Sequence, residues 1–63
     1  MMLTADTITD AQLRDLQHKA RSDGDGQTAL ACSVALTPTR THIFASADVM
    51  RARAYCANKL NGR

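Results

Sequence analysis

Apolar and polar positions follow three different patterns along the chain, and each predicts a helix. Over 10–22, Leu13, Leu16 and Ala20 recur at i, i+3 and i+4 spacing, a narrow stripe on an otherwise charged segment. Over 27–36 the pattern has almost no polar side. At about 100° per residue Leu30 and Val34 fall on one side and Cys32 and Leu36 on another, with Ala29, Ala31 and Ala35 between them. A helix apolar all round has to be surrounded, so this stretch is expected to be a central post against which the other two pack. Over 47–60, Val49, Met50, Ala52, Cys56, Ala57 and Leu60 form one broad arc, with Arg53 inside it.

Start and stop signals support these spans. Thr9 with Gln12 three positions later makes a capping box, Ile8 and Leu13 occupy the two ends of a hydrophobic staple, and Asp10 lies in the first turn. Ser22-Asp23-Gly24-Asp25-Gly26 breaks the pattern with residues suited to a turn and an aspartate able to cap the second helix, which makes the first two helices an antiparallel hairpin. Pro38 ends the second helix. Ser46 and Asp48 suit the start of the third, and Asn61-Gly62 its end. Residues 1–7 show no period and are expected to be a loose tail, and 37–46 a mainly irregular connection, with Ile43 and Phe44 either folded back as a lid or left as a docking patch. The expected fold is all-α: a single helical domain over 1–63.

Composition makes the core thin. The chain has 63 residues, eleven of them alanine, so helices form readily but bury little. Cores of this size often gain support from a disulfide, a metal or a second copy of the chain. No apolar run is long enough to span a membrane and the N-terminus lacks the flanks of a secretory signal, so a cytoplasmic location is expected. In a reducing compartment Cys32 and Cys56 are most simply small buried hydrophobes, with a mutual disulfide as the alternative.

Charge is two-sided. Net charge is only +2, yet residues 1–36 set Arg14, Lys19 and Arg21 against Asp6, Asp10, Asp15, Asp23 and Asp25, and residues 37–63 set Arg40, Arg51, Arg53, Lys59 and Arg63 against Asp48. That distribution suits an acidic protein partner, self-association or weak phosphate contact. Pairs Asp10–Arg14 and Asp15–Lys19 lie at i,i+4. Arg53 either runs its stem along apolar surface or pairs with Asp10 or Asp15, in the same or another chain.

No catalytic constellation is present: His18 and His42 stand apart, and no serine or cysteine has a nucleophile's setting. The two histidines and two cysteines include no local chelating pair, and Gly24-Asp25-Gly26 puts a negative charge where a phosphate would sit, so neither a metal nor a cofactor is expected. A helix-turn-helix would need a shorter connection than 37–46 and a denser basic face. The surface facing outward on the third helix, Arg51, Tyr55, Asn58 and Lys59, with Arg40 and Phe44 from the connection, is the expected contact site for a protein partner.

Three stretches together carry a family resemblance: Ile8-Thr9-Asp10-Ala11-Gln12-Leu13-Arg14-Asp15-Leu16; Gly24-Asp25-Gly26 with Ala31-Cys32 and Ala35-Leu36; and Ala52-Arg53-Ala54-Tyr55-Cys56-Ala57 with Leu60-Asn61. They resemble short helical proteins of temperate phages, most of all the small early proteins from the exo–xis region of lambdoid bacteriophages, from whose pattern the longer 37–46 connection departs. The resemblance implies a non-enzymatic accessory factor that binds a host or phage protein and influences the choice between lysis and lysogeny or the host cell cycle. A small DNA-binding regulator using the basic C-terminal helix is the alternative, and a homodimer with a seam of Val49, Arg53, Cys56 and Leu60 is a third reading.

Overall fold

The helix starts hold the architecture in place. In the computed structural model, which describes residues 2–38 and 45–62, α1 spans Asp10–Ser22, α2 Gly26–Leu36 and α3 Ser46–Asn61. At α1 the capping box forms in both directions: the Thr9 hydroxyl accepts from the Gln12 amide at 3.2 Å, and the Gln12 side-chain oxygen accepts from the Thr9 amide at 2.9 Å. Asp25 caps α2, accepting from the backbone amide of Thr28 at 3.2 Å and from its hydroxyl at 2.6 Å. That second bond satisfies the one polar side chain in the buried set, Thr28. At α3 the cap is Ala45, not Ser46, and it makes no side-chain bond; the helix starts one residue earlier than expected. Gly24, at φ 75°, turns the chain between α1 and α2.

The three helices and the absence of strands among the described residues agree with the all-α expectation. Helix α2 packs extensively on both neighbours, while α1 and α3 meet only marginally. The core joins Leu13 and Leu16 of α1, Cys32 and Ala35 of α2, and Cys56 and Ala57 of α3, with Ile8 closing it from below α1. Small residues on α2 allow this. Its inward face is Thr28, Cys32 and Ala35, so both neighbouring helices approach closely.

Two expectations are corrected. The middle helix is central but not enclosed: Leu30 points away from the core and is 66% exposed, and Val34 and Leu36 are only half-buried. An all-round apolar pattern carries no information about which side packs. Small side chains won the interior because three short helices leave no second layer to cover the larger ones. The segment before α1 is likewise not loose over its described part. Leu3 packs against the core, and Asn61 brackets it, its side-chain amide donating to the Leu3 carbonyl at 2.7 Å and its oxygen accepting from the Leu3 amide at 2.9 Å. Thr4 and Thr7 close a local turn, with the Ile8 amide donating to the Thr4 carbonyl at 3.0 Å. Residues 2–9 thereby reinforce the slight direct contact between α1 and α3.

Candidate partner-binding groove

Arg53 shows how α3 is oriented. Its guanidinium donates to the Ala5 carbonyl at 2.7 Å and to the Ile8 carbonyl, and it lies 3.8 Å from Asp10. With a side chain 19% exposed, it is neither a solvent-reaching stem nor an intermolecular pair. Its chief partners are backbone carbonyls in its own chain. Asp10 faces Arg53 from the first turn of α1, so the acid placed for an i,i+4 pair with Arg14 serves the tertiary contact. This fixes α3 with Val49, Cys56 and Ala57 inward. Of the residues expected at a dimer seam, Val49 and Cys56 are buried within the chain, Leu60 is partly buried against the core, and Arg53 is occupied by contacts in its own chain.

The same rotation opens a groove on the far side of α2. Leu30, Ala31 and Val34 from α2 and Asp48, Arg51 and Tyr55 from α3 line it, with a cavity volume of about 290 Å³. Its floor is apolar, and its polar groups stand at the edge. Arg51 and Asp48 sit 3.6 Å apart on one rim, both well exposed. Tyr55 contributes its ring to the core edge and to the groove wall and is half-buried. Met50, at the start of α3, is also exposed.

A second, more polar cavity of about 340 Å³ lies where the α1–α2 turn meets the end of α3, between Lys19, Asp23, Asp25, Thr28 and Lys59. Lys59 stands 3.9 Å from the Asp25 carboxylate. The Thr28 hydroxyl, the Thr28 amide and this lysine together hold the Asp25 carboxyl below its usual range. Lys59 therefore serves a different place from Arg51 and Tyr55.

The expected contact surface is thus divided. Arg51 and Tyr55 share the groove, Asn58 is exposed without lining either cavity, and Lys59 belongs to the polar cavity. Arg40 and Phe44, with the alternatives of lid or patch for Ile43 and Phe44, lie outside the described residues. Sequence reasoning missed Leu30 and Val34, which it assigned to the interior. The only available signal was the very excess of apolar residues on α2 over what a thin core could use.

Cys32 and Cys56 meet in the centre of the molecule, their sulfurs 3.5 Å apart and both residues free thiols with no exposed surface. Burial pushes both thiols up, Cys56 to about 12. No described helix is long and apolar enough to cross a membrane. Comparison with family models, with curated proteins and with solved structures finds no match to this chain.

Proposed function

We propose that the chain is a non-enzymatic adaptor whose α2–α3 groove receives an amphipathic helix of a partner protein. The observation that carries this reading is Leu30: a leucine two-thirds exposed at the edge of an apolar groove, in a molecule too short of large apolar residues to waste one. From Gln27 to Val34 the groove follows about two turns of α2, enough for a helix presenting anchors at i, i+3 or i+4, and i+7. The half of the chain that forms its outer wall is basic, with Arg51 at the rim, so the fitting helix carries acidic residues beside its apolar stripe.

The resemblance to lambdoid early proteins supports a role in the cytoplasm of a bacterial host, where that partner is a host or phage protein governing lysis, lysogeny or division. Duplex DNA ranks second. Arg53 is engaged by backbone carbonyls and Asp10, and Lys59 stands 3.9 Å from Asp25 at a different place. Of the described α3 cations only Arg51, exposed and loosely paired with Asp48, is left at the groove, too few for the several phosphate contacts a duplex takes.

Titration of the labelled protein with helical peptides bearing the same Leu and Met anchors, one series acidic and one basic, tests the groove. The acidic series should shift the NMR signals of Leu30, Val34 and Tyr55, and Leu30→Asp should abolish the shifts while the protein stays folded. Shifts elsewhere, or none from either series, would refute the assignment. Expression in a lysogenic host tests the biological role: wild type should alter the frequency of prophage induction and Leu30→Asp should not.

A further inference from the structure

The core holds a chemical possibility that the groove does not use. Cys32 on α2 and Cys56 on α3 lie 24 positions apart in sequence, yet their sulfurs are 3.5 Å apart, about van der Waals contact, with Leu13, Leu16, Ala35 and Ala57 in the same cluster. We propose that Cys32 and Cys56 form a redox modification site, closed to a disulfide by exchange with a small-molecule disulfide of the glutathione class, which staples α3 to the α1–α2 hairpin. Closure to a bond of about 2.05 Å requires the sulfurs to approach by roughly 1.5 Å. No other cysteine competes, because the chain contains only these two.

The folded core keeps the thiols protonated and hidden, so reaction begins when α3 swings off its neighbours. That motion lifts α3 from α2, its main packing partner; α1 gives it little direct contact, and Arg53 at its middle and Asn61 at its end tie it to the first residues of the chain. Once exposed, one cysteine loses its proton and its thiolate attacks a sulfur of the small disulfide. The disulfide's S–S bond breaks, one small thiolate leaves, and a mixed disulfide remains. The second cysteine, deprotonated in turn, attacks the protein sulfur of that mixed disulfide and expels the other small thiolate. The two departing thiolates take up the two protons. The protein has lost two electrons and two protons, and the small disulfide has become two thiols. Reduced glutathione in excess runs the same steps backward. The staple lies directly under the groove, since Ala31 precedes Cys32 and Tyr55 precedes Cys56, but its formation does not depend on the groove having an occupant.

The experiment equilibrates the full chain in buffers of graded oxidised-to-reduced glutathione, quenches with an alkylating agent, and follows mass and thermal unfolding. Oxidising buffers should yield a monomer about 2 Da lighter with no alkylated thiol and a Cys32–Cys56 linked peptide, melting about 10–20 °C higher than the reduced protein and reverting with dithiothreitol. Under the same conditions Cys32→Ala and Cys56→Ala should each stop at the mixed disulfide, carrying one glutathione on the remaining cysteine, and gain no stability. On the wild type, two alkylatable thiols throughout, accumulated glutathione adducts, cross-linked dimers, or closure without a rise in melting temperature would each overturn the proposal. The wild-type measurement decides the matter even if a variant fails to fold.

Discussion

At the scale of single residues the contrast between Leu16 and Leu30 is the sharpest consequence of the fold. Leu16 is buried in the cluster that joins all three helices, whereas Leu30 faces the groove. Leu16→Ala should destabilise the protein by about 2–5 kcal/mol, and Leu30→Ala by under about 0.5 kcal/mol, in chemical denaturation. A domain of 63 residues has a total stability of roughly 3–9 kcal/mol, so the first substitution should unfold an appreciable fraction of molecules at 37 °C. Asp25 supplies a pH dependence of definite sign. Its folded pKa is depressed, first by the Thr28 hydroxyl, then by the Thr28 amide and by Lys59. A depressed carboxylate contributes stability that is fully present above the ordinary aspartate value of about 3.9 and is lost as pH falls through the lower folded value. An NMR titration should place the Asp25 carboxyl below the ordinary aspartate value, and Thr28→Ala should bring it back toward that value.

At the scale of elements, the features legible in the sequence were local. The Thr9–Gln12 box, the Ile8–Leu13 pair, the Leu13, Leu16 and Ala20 stripe and the Asp25 cap all depend on residues within one or two turns of each other, and all are present. Helix ends differ from expectation by one residue at Gly26, at Ser46 and at Asn61: α2 begins directly after its Asp25 cap, and at Ser46 and Asn61 helical geometry takes in a residue read as flanking. The features that were not legible depended on distant partners. Leu3 and Ala5 carry no period of their own, and their places are set by Asn61 and Arg53, more than forty residues later. The rotation of α2, and with it the groove, is set by which neighbours arrive, and an apolar helix has no polar face to announce it. The turn between α1 and α2 offers a test in which two nearby glycines respond oppositely. Both have open space where a Cβ would stand, but Gly24 is at φ +75 and Gly26 is not in that region. Gly24→Ala should therefore cost about 1 kcal/mol through backbone strain, while Gly26→Ala, inside the first turn of α2, should be neutral or stabilise by up to about 1 kcal/mol. Equal losses in urea denaturation would show that the left-handed backbone of Gly24 does not set the cost.

At the scale of the whole molecule, the arrangement is a helical hairpin with a third helix laid on its second member and strapped across to the first by residues 2–9. The strap is attached at two points: Asn61 on the Leu3 backbone, and Arg53 on the carbonyls of Ala5 and Ile8. Helix α2 packs on both neighbours to a similar extent, with a Gln17–Ser33 side-chain bond of 2.6 Å added on the α1 side. Helix α3 reaches α1 mainly through this strap and the Arg53–Asp10 pair, so loosening the strap weakens the hold on α3 first. Asn61→Ala removes two partly buried hydrogen bonds at once and should cost about 1–2 kcal/mol. Native-state hydrogen exchange shows where that loss falls. If α3 opens as its own unit, its amides should exchange roughly five- to thirtyfold faster in the variant, while those at the α1–α2 contact change far less. Uniform acceleration over all three helices would instead make the protein one cooperative block, and the strap merely one contact among many. The same measurement bears on the cysteines, for an α3 that lifts separately is the motion that bares Cys32 and Cys56, and loosening the strap should raise the rate at which they react with alkylating agents by a similar factor.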